Sequence, residues 1–497
     1  MTQIVATQSG QVRGAHQDGV FSFKGLPFAA PPAGANRLQQ PRPPEPWEGV
    51  RDALEFGPKP PQQDLPFDDI ALLPDLVAAG EDCLSLNIWT GALGAANQPV
   101  MVWIPGGLFE FHATGACPWY DGAAFARDGV VCVTINYRVG AEGFLYLGDG
   151  LANLGLLDQI AALTWVRDNI AAFGGDPDAV TVFGESAGGL SVSTLLATPA
   201  ANGLFKRAIV QSGGAHHVNS DASARQIGER LAARMGVEPT RAAIAAAPLN
   251  TLIDAQGELR DELERNPDPQ LWGQAALNFI PWQPTVDGDV LPAPPLEAIR
   301  AGASAEVDLL IGSNTQESRL FHVPGGFIDQ VSEEFLAGMA AAYGLPVETA
   351  LNAYRALYPG ADAGDLFAAL QGDWLFRIPS LRLAEAHAAA APSPSTFMYE
   401  FAWPSPQFGG RLGAGHALEI PFVFDTLGRQ TEALHGSNPP QSLADAMHGA
   451  WVAFAKTGDP GWTPFDLRQR ATMRFNATSQ IVKDPMARER AIWEGVR

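Results

Sequence analysis

The chain has 497 residues and a formal net charge of −22 at pH 7, and no cluster of basic residues offsets that charge. Such a surface repels a nucleic-acid backbone, so the composition excludes a nucleic-acid partner. Hydrophobic residues make up 46% of the chain. No apolar run approaches the ~18 residues of a membrane-spanning helix, and no apolar signal segment follows Met1, so we expect neither a membrane partner nor a signal peptide.

Short apolar runs rich in β-branched residues alternate with helical patterns along the first half of the chain. Residues 100–104, 130–136 and 208–211 predict strands, the first two buried on both faces as in a parallel sheet. Residues 156–173 place apolar side chains on one helical stripe, and a Gly-Gly pair ends that helix. This alternation predicts right-handed crossovers in a mostly parallel central sheet with helices on both faces, an α/β fold.

A Gly-x-Ser-x-Gly sequence at 184–188 joins a β-branched run to a helix-forming stretch at 187–197. This pattern is typical of a nucleophile elbow, in which a sharp strand-to-helix turn lifts the hydroxyl of Ser186 clear of the sheet edge. Gly184 and Gly188 flank the serine because the turn leaves no room for a Cβ atom. The helix N-terminus supplies backbone N–H groups, beginning with that of Ala187, to a developing negative charge. Ser186 is therefore the candidate nucleophile.

A serine nucleophile needs a base, and nine histidines compete for that role. His416 is the favoured candidate because it lies in the glycine-rich loop 411–416, just before an apolar run, where its imidazole can lean over the sheet edge. His112, His322 and His387 are the alternatives.

The third member of such a site is an acid that accepts the Nδ1 proton of the imidazole and holds its tautomer. Residues 309–312 predict a buried strand, and the loop 313–317 that leaves this strand carries Glu317. Asp287 is the rival carboxylate, although its Asp-Gly sequence is typical of a tight turn.

Length alone suggests about three domains, but the chain contains neither a low-complexity linker nor an internal repeat. We therefore expect a single domain over residues 1–497. Residues 215–295 and 321–414 fit no sheet pattern, and their alanine-rich and leucine-rich sequence predicts a helical cap. We expect two or three of six aromatic residues in these insertions to face an apolar pocket above the serine: Trp272, Phe279, Trp282, Phe321, Trp374 and Phe408.

Several longer motifs occur in order along the chain. They are FKGLPFA at 23–29, EDCLSLN at 81–87, NYRVG at 136–140, FGGDP at 173–177 and the elbow itself. Together they resemble the type-B carboxylesterases, the family of bacterial para-nitrobenzyl esterases and the cholinesterases, from residue 4 through residue 465. The resemblance implies an α/β-hydrolase fold and hydrolysis of a small-molecule ester through an acyl-enzyme, with neither a metal nor an organic cofactor.

The resemblance also selects the residues that would act with the serine. It implies Glu317 as the acid and His416 as the base, the latter within a Gly-Ala-x-His-x-x-Glu pattern that includes Glu419. Glu185 and Ser212 are similar to a pair of residues that supports the histidine in this family.

The family keeps its oxyanion hole in a glycine-rich loop after the strand at 100–104. The resemblance implies that the backbone N–H groups of Gly107, Leu108 and Ala187 form this hole, with Gly106 supporting it. The chain departs from the family pattern in this loop at three positions: Pro105, Leu108 and His112. We expect the Leu108 side chain to crowd the pocket and to weaken activity on esters of tertiary alcohols; the alternative is a leucine turned outward in a rearranged loop.

Other matches to the family are expected to be structural. The equivalents of Arg37 with Glu81, and of Arg138 with Asp176, form ion pairs in the family, and the resemblance implies the same pairs here. Cys83 occupies a position that is disulfide-bonded in secreted relatives, but no cysteine precedes it. The loss of that bridge favours a reducing, cytoplasmic setting.

Three classes of function are compatible with these motifs. A carboxylesterase for small or medium esters is favoured, with a monomer as the expected state. A lipase of the same fold is the second class, and the modest apolar content of residues 69–79 argues against it. A non-catalytic interaction module is the third class, and the intact Ser186 argues against it.

Overall fold

The computed structural model describes residues 2–63, 74, 77–391 and 395–497, and its strands form one large sheet and one small one. The strands are β1 (Thr2–Ala6), β2 (Gln11–Gln17), β3 (Val20–Pro27), β4 (Val50–Asp52), β5 (Ser85–Thr90), β6 (Gln98–Ile104), β7 (Val131–Ile135), β8 (Gly175–Glu185), β9 (Arg207–Gln211), β10 (Asn219–Ser220), β11 (Thr285–Val286), β12 (Asp308–Asn314), β13 (Thr396–Phe401), β14 (Ala471–Phe475) and β15 (Gln480–Lys483).

The described α-helices lie between and after these strands. They are α1 (Ala123–Arg127), α2 (Gly140–Phe144), α3 (Leu154–Asn169), α4 (Ala187–Leu195), α5 (Asp221–Met235), α6 (Arg241–Ala246), α7 (Leu249–Arg265), α8 (Pro269–Trp272), α9 (Ala275–Asn278), α10 (Pro295–Arg300), α11 (Arg319–His322), α12 (Glu333–Ala342), α13 (Val347–Leu357), α14 (Ala363–Gly372), α15 (Ile378–Ala390), α16 (Ile420–Phe424), α17 (Glu432–His435), α18 (Gln441–Thr457) and α19 (Ala487–Ile492). A π-helical turn, Asp373–Arg377, joins α14 to α15.

The large sheet has the order β1-β2-β3-β5-β7-β6-β8-β9-β12-β13-β14-β15, and β4 pairs with β2. All pairings from β7 to β14 in that order are parallel. The strands at the two ends of the order pair in antiparallel fashion. The expected mostly parallel central sheet is therefore confirmed.

Both faces of the central strands are buried, which explains their continuous apolar sequence. On β6, Val100, Val102 and Ile104 face a core that includes side chains of α3. The alternate residues Met101 and Trp103 face a second core that includes side chains of α18. Because successive side chains of a strand point to opposite faces, helices cover the sheet on both sides.

The described cap differs from the expected one at the end of its second insertion. Most of residues 321–390 is helical, as the composition predicts. However, β13 lies between β12 and β14 in the central sheet, so the expectation that residues 321–414 fit no sheet pattern is wrong for Thr396–Phe401. The first insertion also holds both strands of the small sheet, β10 and β11. The single domain over the whole chain stays a prediction.

Arg37 and Arg138 both form ion pairs, but their partners are not the carboxylates that the resemblance implies. Arg37 Nε lies 2.9 Å from Glu142 Oε1, and Arg138 Nη2 lies 2.7 Å from Asp158 Oδ1. Both pairs are buried, and Asp158 also accepts the backbone N–H of Arg138 at 3.0 Å. The expectation of Glu81 and Asp176 as partners is therefore wrong, because helices α2 and α3 place other carboxylates beside the two guanidinium groups.

Two further expectations concern the membrane and the cysteines. None of the helices in the described ranges combines the length and the apolar content that crossing a membrane requires. Cys83 is buried and forms no disulfide within the described part of the chain. Residues 69–73 and 75–76, on which the argument against a lipase partly depends, lie outside the described residues.

Candidate active site

Ser186 occupies the turn between β8 and α4. Strand β8 ends at Glu185 and helix α4 begins at Ala187, so a single residue makes the reversal. Its backbone has φ 57° and ψ −125°, a strained conformation for a residue with a side chain. The Ser186 N–H donates to Gln211 O at 3.0 Å, which fixes this turn to the neighbouring strand β9.

The flanking glycines are required by close backbone contacts. A Cβ atom on Gly188 would lie 2.0 Å from Ile104 O, and one on Gly184 would lie 2.6 Å from the Gly188 carbonyl carbon. Neither position has room for a larger residue. The elbow geometry therefore follows from the Gly-x-Ser-x-Gly sequence together with the end of β6.

His416 and Glu317 meet at the carboxyl edge of the sheet. Glu317 follows β12, and its Oε2 lies 2.7 Å from His416 Nδ1. The other oxygen, Oε1, accepts the backbone N–H of Asn314 at 2.7 Å, and the His416 N–H donates to Glu317 O at 3.1 Å. Glu317 is fully buried and His416 is 4% exposed. These contacts fix the orientation of the imidazole and favour the tautomer that donates from Nδ1.

The second ring nitrogen of His416 faces Glu185. Nε2 lies 3.0 Å from Glu185 Oε1, and neither atom makes a hydrogen bond of good geometry within the described residues. Ser186 and His416 line the same cavity. The resting arrangement thus pairs the ring with two carboxylates and leaves Nε2 without a hydrogen bond to the serine.

Burial and the clustered carboxylates set the pKa values of this group. Burial by itself lowers the pKa of His416, but the carboxylates of Glu185 and Glu317 outweigh it and raise that pKa to about 9. Burial raises the pKa of Glu185 well above its usual range; Glu419 and Glu317 raise it further, while His416 opposes them. The Glu185 carboxyl group therefore takes up a proton more readily than an exposed glutamate would.

A buried polar network lies behind the histidine. Glu419 Oε2 accepts Asn314 Nδ2 at 2.7 Å, and its Oε1 accepts Gln211 Nε2 at 3.1 Å. Asn314 Nδ2 also donates to Gly415 O at 2.7 Å, which holds the loop that carries the histidine. Ser212, expected to support the histidine, is buried, and its Oγ has no hydrogen-bond partner in the described ranges.

A glycine-rich segment after β6, residues 106–112, passes close to the serine; it is called the glycine loop below. A Cβ atom on Gly106 would lie 3.1 Å from the Ser186 Cβ, and one on Gly107 would lie 1.6 Å from Phe111 O. Leu108 and Phe109 both have left-handed backbones, with φ 55° and φ 61°. Two consecutive residues of this kind are costly, so the surrounding structure must hold the loop in place.

Ser186, His416 and residues 106–108 line one cavity of about 630 Å³. Leu108 lines this cavity, is half-buried and packs against the hydrophobic core. The wall is mainly apolar and includes Phe279, Phe321, Phe335, Met339, Phe367 and Phe376. Phe279 and Phe321 are thus the two residues, of the six aromatics considered from the sequence, that line the cavity.

The alternative candidates differ from His416 in their contacts. The ring of His322 bonds a glutamine side chain at 2.6 Å, and that of His387 bonds a threonine hydroxyl at 2.7 Å. His112 and His322 both line the cavity that contains Ser186. Asp287 accepts the backbone N–H of Leu291 at 2.8 Å and so closes its own turn, as its Asp-Gly sequence suggests.

Three side chains of the site were not found from the sequence. The ring of Phe376, on the π-helical turn, lies with its centroid 4.5 Å from that of His416. Glu110, in the glycine loop, forms a buried ion pair with Arg260 of α7 at 3.1 Å. A π-helical turn and an ion pair between residues 150 positions apart leave no local pattern in the sequence. The one available signal was the charged Glu110 between the apolar Phe109 and Phe111.

Comparison with known proteins places this geometry in a family. The model of the carboxylesterase family matches residues 1–493. The chain is 38% identical to the para-nitrobenzyl esterase of Bacillus subtilis (strain 168), covering 98% of each chain, and 35% identical to the phenmedipham hydrolase of Pseudarthrobacter oxydans, covering 92% of this chain and 90% of that one. A solved carboxylesterase of Geobacillus stearothermophilus superimposes with a TM-score of 0.85 at 38% identity, covering 99% of both chains. The expected α/β-hydrolase fold is confirmed. The chain belongs to the carboxylesterase family and is a serine hydrolase that acts on carboxylic ester bonds.

Proposed function

We propose that Ser186, His416 and Glu317 form the catalytic triad of this esterase. The observation that carries the proposal is the 2.7 Å contact between His416 Nδ1 and Glu317 Oε2 in the wall of the cavity that also contains Ser186. A carboxylate at Nδ1 presents Nε2 as the proton acceptor and stabilises the imidazolium that forms when the serine attacks.

The reaction then follows from these roles. His416 takes the hydroxyl proton as Ser186 Oγ bonds to the ester carbonyl carbon, and the imidazolium returns that proton to the departing alcohol. Water repeats the cycle on the acyl-enzyme. Nε2 must leave Glu185 for Ser186 in the first step.

We assign the oxyanion hole to the backbone N–H groups of Gly107, Leu108 and Ala187. Ala187 is the first residue of α4, where N–H groups have no partner within the helix. A Cβ atom on Gly106 would lie 2.7 Å from Glu185 O and 3.1 Å from the Ser186 Cβ, so the glycine lets this loop approach the elbow, which brings the next two N–H groups toward the reacting carbonyl. Such fixed donors stabilise the charge that develops on the carbonyl oxygen.

The substrates are proposed to be small to medium esters with apolar acyl or alcohol groups. A cavity of about 630 Å³ with an aromatic and aliphatic wall suits ligands of this size and gives few polar contacts. The relatives point the same way, since one is named for a para-nitrobenzyl ester and another for phenmedipham. A monomer in the cytoplasm remains part of the proposal.

Labelling and a substrate panel test these roles. A fluorophosphonate should label the wild-type chain and fail to label Ser186→Ala, whereas Ser193→Ala, a buried serine of α4 that bonds Gly189 O, should label normally. Rates on p-nitrophenyl esters from acetate to palmitate should peak at short or medium chains. Full labelling of Ser186→Ala would refute the nucleophile, and activation by emulsified long-chain triglyceride would favour a lipase.

A further inference from the structure

One buried ion pair connects the glycine loop to the cap. Glu110 lies two residues after Leu108 and is 3% exposed; Arg260 lies on α7 and is 7% exposed. Arg260 Nη1 donates to Glu110 Oε2 at 3.1 Å. The two residues are 150 positions apart, so this contact joins a loop of the sheet edge to a helix of the first cap insertion.

Arg260 itself lines the cavity and contacts two residues of the glycine loop and one residue of the cap. Besides Glu110, its Nη1 donates to Phe279 O at 3.0 Å, and its guanidinium lies 4.7 Å from the centroid of the Phe111 ring. Phe279 lines the cavity and has a left-handed backbone with φ 57°. The guanidinium therefore holds the glycine loop and the cavity-lining Phe279 in a fixed relation to each other.

The glycine loop needs such an external contact. Leu108 and Phe109 are both left-handed, a conformation that non-glycine residues keep only when their surroundings impose it. Within the loop, Gly107 O accepts the N–H groups of Glu110 and Phe111 at 2.9 and 2.7 Å. These bonds shape the turn, and Phe109 O accepts the Gly140 N–H at 2.6 Å, which fixes the loop to α2 but not to the cap.

The pair is sensitive to the loss of either partner. Burial raises the pKa of Glu110 to about 7; Arg260 opposes this, and Glu264, 3.7 Å from the guanidinium, adds to it. Glu110 Oε1 has no hydrogen-bond partner within the described residues. Without Arg260, the carboxyl group would therefore lose its charged partner in a buried setting, and the loop would lose this contact with α7.

We propose that Arg260 and Glu110 are positioning residues, which hold the N–H groups of Gly107 and Leu108 where the oxyanion forms. This inference rests on the proposed function, since it presupposes that these N–H groups bind the oxyanion. Neither side chain is required to touch the reacting atoms. The pair acts on the reaction only through the placement of the glycine loop.

The test compares chemistry with binding of a tetrahedral adduct. Hexyl trifluoromethyl ketone reacts when Ser186 Oγ bonds its carbonyl carbon; the carbonyl π electrons move to oxygen, and the hydroxyl proton moves to His416. Its inhibition constant therefore measures how well the oxyanion hole stabilises the charged oxygen of the adduct. A substitution that only lowers the stability of the fold leaves the inhibition constant of the folded fraction unchanged. A single lost oxyanion donor costs about 10²–10³-fold in kcat.

Arg260→Met should lower kcat on p-nitrophenyl butyrate by about 10- to 100-fold, as a displaced loop loses part of this donor effect. KM should stay within about threefold, and the ketone constant should weaken by the same factor as kcat/KM. Glu110→Gln keeps an oxygen acceptor for Arg260 and should retain activity within about threefold, whereas Glu110→Ala should resemble Arg260→Met.

The matched control is Glu262→Gln on the same helix. Glu262 pairs with Arg230 at 2.9 Å in a partly exposed setting away from the cavity, so its loss should change neither kcat nor the ketone constant. An unchanged ketone constant in Arg260→Met, or losses equal to those of Glu262→Gln, would overturn the inference. If Arg260→Met does not fold, the double variant Glu110→Leu with Arg260→Met removes both charges, and the same losses are expected from it.

The two proposals fail in different ways. If the wild-type chain is neither labelled by a fluorophosphonate nor inhibited by the ketone, the proposed function fails and the inference fails with it. If the wild-type chain passes both tests and Arg260→Met binds the ketone equally well, only the inference fails.

Discussion

Replacing Leu108 by glycine should shift the enzyme toward esters of tertiary alcohols. Leu108 combines a left-handed backbone, φ 55°, with a side chain on the wall of the cavity that contains Ser186. Its N–H is also one of the proposed oxyanion donors. An isobutyl group at this point occupies space that a branched alcohol or acyl group would need. Glycine keeps the N–H and the backbone conformation while it removes the side chain.

Two magnitudes follow from this geometry. One methylene group that a pocket cannot accommodate changes kcat/KM by about 1–3 kcal/mol, or about 10- to 200-fold, so the tert-butyl to n-butyl ratio should rise at least about 10-fold. The left-handed backbone costs a leucine about 1–2 kcal/mol. The greater chain entropy of glycine offsets about 0.5–1 kcal/mol of that. Leu108→Gly should therefore fold with about the stability of the wild-type chain.

The assay measures kcat/KM on tert-butyl and n-butyl acetate side by side. Met339→Ala serves as the control, because this residue of α12 lines the same cavity and loses a similar volume. A ratio that stays within about twofold of wild type would refute the steric argument, as would an equal rise in Met339→Ala.

Three further changes test the site and its support. Glu185→Gln removes a carboxylate that raises the pKa of His416, so the acid limb of kcat/KM, which requires a neutral imidazole, should move to lower pH. Glu317→Gln should lower kcat by about 10³–10⁴-fold because the amide no longer fixes the tautomer, as initial rates at saturating substrate will show. Asp158→Asn disrupts the buried pair with Arg138 and should cost about 3–5 kcal/mol in the free energy of unfolding, measured with urea.

Each of these changes has a control or a contrary outcome. An acid limb that stays in place or moves up in Glu185→Gln would show that this carboxyl group carries no charge when the imidazole titrates. A loss in Glu317→Gln that vanishes at high pH would point to protonation rather than tautomer control. The exposed pair of Arg13 and Asp52 is the stability control, since Asp52→Asn should cost less than about 1 kcal/mol.

The sequence predicts the central strands well because their burial is complete. Runs such as 100–104 read as buried on both faces, and β6 is buried on both faces in the structure. Strand β13 was missed because a charged residue, Glu400, interrupts its apolar run. That carboxylate pairs with Arg474 of β14. Because the residue that neutralises Glu400 lies 74 positions away, the local sequence gives no indication of a buried strand.

The candidate site divides in the same way. The placements of Ser186 and Glu317 depend on short segments, the elbow and the end of a strand, so the sequence carries them. The contact of His416 Nε2 with Glu185 depends on how three buried carboxylates from three segments share one space. Arg37 illustrates the same limit, since the family motif indicated an ion pair but the fold selects Glu142 as its partner.

The contact of Arg260 with the glycine loop should oppose the backbone strain at Leu108, so the two effects should be energetically coupled. A leucine in an untethered loop populates the left-handed region about 5- to 30-fold less than its preferred regions, which corresponds to the cost of about 1–2 kcal/mol. Glycine populates that region about as readily as the others. Loss of the Arg260 contact should therefore harm a loop with leucine more than a loop with glycine. In a double-mutant cycle, Arg260→Met should lower kcat/KM less in the Leu108→Gly background than in wild type, by up to about 1–2 kcal/mol of coupling. Additive effects would mean that the Arg260 contact positions the loop without opposing the strain at Leu108.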